Sequence, residues 1–403
     1  MKSKAITLCN RIIDGGLIVF VLSLPFSISG TEIGFYTAAL AWIIMMAIKK
    51  EVKLPSTPLD LPIIFFWLIS VIAIVFSVKP SISITMLQKI PYFFLPYLMV
   101  ANIKDKKKLL LLIQFLLIST TLAAISGISN YINGAERAYT HALEINALAI
   151  FLLVVFPFAI VLFIYKKSLW LKAINGLMAL IIMSGIILTY SRSTYLAIVG
   201  IAIIIGFFVK KVRYLSFFIL CLSIILFLSL TGFRNHTKSI SCDSSERPYI
   251  WQIGWQMFKD HPFTGVGVDC IEIEYPKYMG SQTKWEIRNN IHNNFIQEMA
   301  AKGIGGLIAF LWLLGSFFWI GVNTYKRDSD NIQKGIILGC MAGYIGLVID
   351  GCFESYFFAW IWLFIMGVGL VTNNLCFAHE RLKKVSGQAC NEESNEGKDL
   401  ISD

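Results

Sequence analysis

The sequence predicts an all-α membrane protein with about twelve transmembrane helices and one large loop outside the membrane. Of the 403 residues, 56% are hydrophobic and only 15% are charged, whereas soluble domains contain about a quarter charged residues. The mean hydropathy is +0.68. Apolar runs also recur along the chain at the length of about 20 residues that a helix needs to cross roughly 30 Å of hydrocarbon.

The apolar runs predict twelve spans, most of them joined by short connections. The predicted spans cover residues 13–29, 33–48, 61–78, 84–101, 109–130, 144–165, 171–190, 192–210, 213–232, 303–324, 333–350 and 355–374. Lys89, Pro91 and Pro96 interrupt the fourth span, and a transmembrane helix tolerates proline only where neighbouring groups satisfy the freed carbonyl.

This pattern divides the chain into four parts. They are residues 1–232 with the first nine spans, 233–302 as a large loop with amphipathic helices, 303–374 with the last three spans, and 375–403 as a polar tail. The tail is rich in charged and small polar residues, so it is expected to be disordered.

The basic residues predict which side of the membrane each connection faces. Lysines and arginines cluster in alternate connections and near both termini, and this assignment puts 23 of the 35 on one side. Because an excess of lysine and arginine marks the cytoplasmic side, both termini are expected in the cytoplasm and the large loop outside it. The same pattern explains the net charge of +10 without nucleic acid as a partner.

Eight cysteines occur singly, with no Cys-x-x-Cys pair, so neither a zinc site nor a redox site is predicted. Cys242 and Cys270 share the large loop. Two alternatives stay open for them: a disulfide in an oxidising compartment, or free side chains.

His292 is the candidate catalytic residue. It precedes the run NNFIQEMAAKGIGG, which is expected to begin as a helix, and the positive end of a helix dipole disfavours an imidazolium. A neutral histidine at the membrane border can accept a proton from a hydroxyl group. Asn293 and Asn294 are expected to orient its ring, and Glu298 and Lys302 are expected to pair with each other.

Three arginines on the same predicted face are candidates for binding an anionic substrate. Arg192 lies at a tight junction between two spans, where a charge is costly unless it has a partner, and its planar fork suits phosphate oxygens. Arg247 is expected to open a helix that starts near Pro248, where its charge opposes the helix dipole. Arg288 precedes His292 by four residues, so one helical turn would bring the two together. The alternatives are lipid headgroups for Arg192 and ordinary surface exposure for Arg247.

Other catalytic signatures are missing from the sequence. It contains no Walker A loop, no H-E-x-x-H and no G-x-S-x-G, which carry phosphate binding, zinc chemistry and serine nucleophiles. The first outer loop offers only Glu32, so neither a metal ion nor another cofactor is expected, although Asp350 and Glu354 leave a metal open.

Three patches of the sequence resemble one known family, the O-antigen ligases and related polymerases of Gram-negative envelopes. The patch that begins at His292-Asn293 and ends at Gly306 is similar to the ligases' histidine motif, H-N-x9-G-x2-G. The residues that follow Arg192 resemble their Arg-x3-Leu element. Residues 246–267, ERPYIWQIGWQMFKDHPFTGVG, resemble the opening of the family's outer loop with its arginine and its HPxxGVG turn.

The resemblance covers most of residues 150–370 and implies a glycosyltransferase of the bacterial inner membrane with a GT-C-like helical architecture. It implies transfer of an O-antigen polysaccharide from undecaprenyl diphosphate to a sugar hydroxyl of the lipid A core at the periplasmic face, with inversion and without a metal. His292 would be the base, and Arg192 and Arg247 would hold the diphosphate. Arg288, from its spacing alone, and Asn293, beside the histidine, are added as substrate-binding candidates. Membrane lipids are the remaining partners.

Three alternatives are weighed against the ligase. A polymerase of the same lineage uses the same lipid-linked donor, and the H-N-x9-G-x2-G spacing favours the ligase over it. A transporter of a lipid-linked sugar would need ionisable residues near mid-span and paired broken helices, whereas the polar residues here gather on one face. A scaffolding protein would not need a histidine with several arginines.

Overall fold

The computed structural model describes residues 2–210, 213–214, 241–280, 287–355 and 360–399, with the backbone alone for 241–245 and 382–399. Every regular element in these ranges is a helix. The helices are α1 (Lys2–Ser23), α2 (Ile28–Lys49), α3 (Asp60–Val75), α4 (Pro80–Ser83), α5 (Phe94–Asn102), α6 (Lys106–Ile132), α7 (Ile145–Tyr165), α8 (Leu169–Leu188), α9 (Arg192–Phe208), α10 (Ser241–Asp260), α11 (Ile271–Tyr278), α12 (Asn294–Arg327), α13 (Asn331–Asp350) and α14 (Trp360–Asp399).

Within the described ranges, nine helical segments are long and apolar enough to cross a membrane. Two further apolar helices, α3 and α9, have 16 and 17 residues. These segments correspond to eleven of the predicted spans, and the predicted span at 213–232 lies outside the described residues apart from 213–214. The all-α class is therefore confirmed, while the count of twelve stays a prediction.

The predicted span at 84–101 consists of two helical pieces and is preceded by the short helix α4. A 3₁₀ helix over Ile84–Phe93 joins α4 to α5, although 3₁₀ runs longer than three or four residues are uncommon. Pro91 lies inside it and has no backbone N–H to donate. Tyr92, near its end, donates to Glu32 at 2.8 Å and packs its ring 3.9 Å from that of Trp360, centroid to centroid. The irregular stretch is therefore anchored to α2 and α14.

Helix α13 lies at the centre of the bundle, packed against α7 and α9, with most of its residues buried. An added Cβ at Gly343 would lie 2.5 Å from the carbonyl oxygen of Val154. Small residues at such contacts let two membrane helices approach closely, so this glycine sets the distance between α7 and α13.

The last helix differs from the prediction at its end. Helix α14 continues to Asp399, so the tail that was expected to be disordered from residue 375 is helical as far as that residue. Its sequence beyond the apolar part contains several lysines and glutamates, which are good helix formers.

Helix α12 begins before the predicted span at 303–324 and breaks at Gly303, where φ is 67° and ψ is −163°. The turn HPFTGVG packs against this break. The amides of Val266 and Gly267 donate to α12 carbonyls just before it, at 2.8 and 3.1 Å, and the Ile304 amide donates to the Pro262 carbonyl at 2.8 Å. The turn therefore satisfies the backbone groups that the break removes from the helical pattern.

We predict that Gly303→Ala lowers the free energy of unfolding by roughly 2 kcal/mol or more, because these dihedrals are essentially restricted to glycine. The new Cβ would also lie 2.5 Å from the backbone of Phe263, and relieving such overpacking has a further cost. Thermal unfolding of the detergent-solubilised protein measures the effect.

The matched control is Gly315→Ala in the same helix, where a Cβ would meet nothing within 4 Å. This variant is expected to unfold at the same temperature or slightly higher, since glycine is less favourable than alanine in a helix interior. Equal unfolding temperatures for the two variants would contradict the prediction.

Candidate active site

Four helix ends meet at one end of the bundle. Asn146 at the start of α7 donates to Glu354, just after α13, at 2.9 Å. Thr194 at the start of α9 donates to Asp350, the last residue of α13, at 3.1 Å. The amide of Asn294 at the start of α12 donates to the carbonyl of the residue after α13 at 2.7 Å. The loop after α13 is therefore the meeting point of three other helices.

Glu354 is the centre of this arrangement, and it is only 2% exposed. Its Oε2 lies 2.8 Å from Nδ1 of His292. Its Oε1 accepts hydrogen bonds from Nη2 of Arg247 at 2.7 Å and from Nδ2 of Asn146 at 2.9 Å. A buried carboxylate is tolerated only when it is paired and hydrogen-bonded, and these three donors meet that requirement.

The partners of Glu354 determine what the ring of His292 can do. Arg247 and Asn146 approach through N–H groups, so the carboxylate acts as an acceptor. Nδ1 of His292 therefore donates, and the lone pair is left on Nε2. The side chain is 20% exposed. The imidazole can thus take a proton at Nε2 while Glu354 stabilises the resulting imidazolium.

The backbone at His292 is held in a rare conformation. Its φ is 50°, which is uncommon for a non-glycine residue and costs on the order of 1–3 kcal/mol. The indole of Trp251 donates to its carbonyl at 3.3 Å, and its own amide donates to the side chain of Asn290 at 3.2 Å. The next amide, that of Asn293, donates to Ser355 at 3.0 Å. These contacts fix the turn that presents the ring.

Asn293 is the N-cap of α12. Its Oδ1 accepts from the amides of Phe295 and Ile296 at 2.9 and 3.1 Å, as N-cap asparagines do. Its Nδ2 donates to the carbonyl of Cys352 at 2.8 Å. The ring of the histidine is oriented by Glu354 and not by Asn293 as predicted, because the Asn293 amide is used in the cap.

Arg247 lies inside a helix and not at its start. Helix α10 begins at Ser241, ahead of the predicted start near Pro248, so the argument from the helix dipole does not apply. The ion pair with Glu354 compensates the charge instead. The side chain is 19% exposed, and its Nε is buried with no acceptor among the described atoms. The contact with Glu354 uses one of the five N–H donors of the guanidinium.

The helical turn predicted between Arg288 and His292 is wrong, because residues 287–293 form bends and extended backbone. Arg288 makes an ion pair with Glu246 at 2.8 Å, and Glu246 directly precedes Arg247. This ion pair brings Arg288 towards the site. Burial and the nearby Glu246 carboxylate raise the pKa of Tyr275 to about 12, so this phenol stays neutral beside the pair.

Arg192 is the first residue of α9 and is half-buried. Among the described residues its side chain has no hydrogen-bond or ion-pair partner. Thr194 ties the same helical turn to the fully buried Asp350, and the Glu354 amide donates to the Asp350 carbonyl at 3.1 Å. Asp350 therefore joins the start of α9 to the carboxylate that holds the histidine.

A comparison with known families finds a match for part of the chain. Residues 177–311 match the family model described as O-antigen ligase (Wzy_C). This part of the chain is therefore similar to an O-antigen ligase domain. The match supports a place in the O-antigen ligase and polymerase superfamily and a glycosyltransferase-like membrane enzyme. No curated protein matches the chain.

The O-antigen ligase domain contains Arg192, Arg247, Arg288 and His292, whereas Glu354 lies beyond its end. With the apolar helices of the bundle, this domain identifies the chain as a multi-pass membrane protein. The site is completed by residues on both sides of the matched range, since Asn146 precedes it.

Sequence reasoning missed Glu354 and Asn146 as partners of the ligase-domain histidine. Asn146 lies 208 residues from Glu354, and His292 lies 62 residues from it. From the sequence, Glu354 is a candidate only as a carboxylate that could bind a metal ion. The sequence indicated Glu354 only through its position in a short connection that is predicted to lie on the same side of the membrane as His292.

In the part of the chain that the structure describes, no group of three or more His, Cys, Asp or Glu side chains is arranged to hold a metal ion. Glu298 and Lys302 form the predicted pair at 2.8 Å. Cys270 is a buried free thiol 3.2 Å from the hydroxyl of Ser83. Of the two alternatives for this cysteine, the structure shows the free side chain, while the Cys242 side chain lies outside the described ones.

We predict that Glu354→Gln lowers the free energy of unfolding by roughly 3 kcal/mol, because breaking a buried ion pair leaves the other charge uncompensated. Combining it with Arg247→Met is expected to cost clearly less than the sum of the two single changes. A double-mutant cycle of thermal unfolding measures the coupling.

The control cycle uses Lys89 and Asp269, which pair at 3.7 Å with side chains that are 42% and 43% exposed. Exposed pairs couple by at most about 1 kcal/mol. Equal coupling in the two cycles would show that the Glu354 pair is not an anchor of the site.

Proposed function

We propose that the chain is an O-antigen ligase. It transfers an O-antigen polysaccharide from undecaprenyl diphosphate to a sugar hydroxyl of the lipid A core, with inversion and without a metal. The observation that carries the proposal is the buried Glu354 carboxylate, which holds an imidazole at 2.8 Å and a guanidinium at 2.7 Å. A base and an anion-binding group, both within the range that is similar to an O-antigen ligase, are thereby held at one point.

The proposed chemistry is a single displacement. The proton of the acceptor hydroxyl passes to Nε2 of His292, and the hydroxyl oxygen forms a bond to the anomeric carbon of the donor sugar. The bond from that carbon to the diphosphate breaks on the opposite face, and its electron pair leaves with undecaprenyl diphosphate. Glu354 stabilises the imidazolium. The sugar–phosphate bond is already activated, so neither a nucleotide nor a cofactor is required.

The arginines are proposed to bind the diphosphate and to stabilise the charge that develops on it. The partly exposed side chain of Arg247 offers further N–H donors to a phosphate oxygen while Nη2 stays on Glu354. Arg192 approaches from the start of α9. Arg288, held by Glu246, is placed at the rim. Asn293 holds the turn of the histidine in this proposal, since both of its amide atoms have protein partners.

The proposal places the protein in the bacterial inner membrane, with both termini in the cytoplasm and the site at the periplasmic face. The distribution of lysines and arginines supports this orientation. The helix ends that meet at Glu354 belong to connections on the side that is poor in lysine and arginine.

We predict that His292→Ala and Arg192→Ala leave the lipid A core without attached long chains while lipid-linked polymer accumulates. Removal of a general base costs roughly 10²–10⁴-fold in rate, which is enough to abolish the ladder of long chains. Lipopolysaccharide gels and extraction of the lipid-linked polymer measure the two pools.

His261→Ala is the matched control, because His261 lies just after α10 and away from the Glu354 network. It is expected to leave the ladder intact. If long chains are attached at the wild-type level in both test variants, the assignment of His292 and Arg192 to the active site is wrong. Absence of the polymer itself would identify a polymerase, which uses the same donor.

We predict that Arg247→Lys lowers the transfer rate by roughly tenfold or more. Lysine cannot keep the contact with Glu354 and offer a second donor to phosphate in one plane, and hydrogen bonds to charged groups contribute about 1.5–3 kcal/mol. Transfer by purified protein in vesicles measures the rate. Arg381→Lys, an exposed arginine in α14, is the control, and equal activity of the two variants would favour a plain surface role for Arg247.

A further inference from the structure

One face of α10 begins at the site and carries aromatic residues along the helix. Arg247, Trp251 and Trp255 follow each other at intervals of four residues, and Phe258 falls on the same side. At 100° per residue these positions lie within a quarter of the helix circumference. Exposure rises along this face from 19% at Arg247 to 44% at Trp255.

The inner end of this face belongs to the site. Arg247 binds Glu354, and the Trp251 indole donates to the His292 carbonyl. The Trp251 ring lies 6.2 Å from that of Phe353, centroid to centroid. The opposite face of α10 is covered by a separate apolar cluster of the loop, formed by Ile250, Ile253, Met257, Val266, Cys270, Ile271, Tyr275, Ile291, Ala300 and Ala301. Trp251 also packs against this cluster, whereas Trp255 and Phe258 are not among the described residues that form it or pack against it.

The outer end of the face is aromatic, exposed and basic. The rings of Trp255 and Phe258 pack with centroids 5.3 Å apart. The ammonium group of Lys259 lies 6.0 Å from the Trp255 ring centroid. Phe263, in the turn that follows α10, is 81% exposed. Tryptophan, phenylalanine and lysine together are typical of a surface that rests at a membrane–water interface.

This exposed end is continuous with the lipid-facing side of α12. The residue before Phe263 accepts the amide of Ile304 at the helix break, so Phe263 lies level with Ile304. Below it, Ile304, Ile308 and Trp312 are all exposed and lie on one face of a helix that is long and apolar enough to cross a membrane. Exposed apolar side chains on such a helix face lipid, and Phe263 lies at their upper end.

We propose that Trp251, Trp255, Phe258 and Phe263 form an aromatic face that rests on the bilayer surface on the side of His292. A lipid-linked diphosphate moves along this face to Arg247. Lys259 contacts the headgroup phosphates. The membrane contact stands on the geometry of α10 and α12 alone, whereas the movement of the diphosphate rests on the proposed function.

The membrane contact is tested by tryptophan quenching in nanodiscs of phosphatidylethanolamine and phosphatidylglycerol with brominated acyl chains. Trp255→Phe is expected to lower the bromine-dependent quenching, because an exposed tryptophan at the interface is lost. Phe263→Trp is expected to raise it. Both side chains are exposed, so both variants are expected to fold, and thermal unfolding checks this.

Two tryptophans calibrate the experiment. Trp319→Phe removes an exposed side chain of α12 and is expected to lower quenching, whereas Trp362→Phe removes a buried one and is expected to leave it unchanged. If neither Trp255→Phe nor Phe263→Trp changes the quenching, the proposal is overturned. A shift in the emission of Trp255 on addition of lipid-free polysaccharide, without quenching by brominated lipid, would also overturn it and would assign the face to sugar stacking.

The movement of the lipid is tested with Phe263→Glu in the same nanodiscs. It is expected to raise KM for a donor with the full isoprenoid chain roughly tenfold, more than it lowers kcat. A donor with a short, water-soluble isoprenoid is expected to be affected less, and Phe263→Tyr is expected to restore KM.

An equal loss with both donors would overturn the movement of the lipid along this face. If the wild-type protein transfers no glycan at all, the proposed function fails, and the quenching experiment still decides the membrane contact. The two failures are therefore distinguishable.

Discussion

The site depends on one buried carboxylate. Glu354 is almost fully removed from solvent, and a charge in that position is stable only with partners. Its donors come from the start of α7, the middle of α10 and the turn before α12. The requirement to neutralise one charge thus holds three separate segments in register, and the imidazole that we assign as the base is one of the groups it positions.

The position of α10 depends in turn on the break in α12. At Gly303 the helix leaves its regular path, and the turn HPFTGVG supplies the hydrogen bonds that the helix loses there. The apolar cluster between α10 and the first part of α12 holds α10 in the position at which Arg247 contacts Glu354. Gly303 of the histidine motif and Gly265 of the HPxxGVG turn have a structural reason, because each lets two backbones meet closely.

The sequence by itself determined the class of the protein, because a membrane helix needs about 20 apolar residues whatever its neighbours are. It also indicated His292 and the arginines, since charged and polar residues in such a chain are costly except at the ends of the spans. The pair of Glu298 and Lys302 was predictable as well, because residues four apart on a helix are always neighbours.

The tertiary structure alone decided how these residues act. The partners of Glu354 lie as far as 208 residues away, and hydropathy and spacing do not contain the contacts between distant helices. The helical turn expected between Arg288 and His292 is replaced by bends, because α12 begins only after its N-cap Asn293. Packing brings both Arg247 and His292 to the carboxylate of Glu354. The sequence could not indicate these contacts, since they join segments that are far apart in the chain.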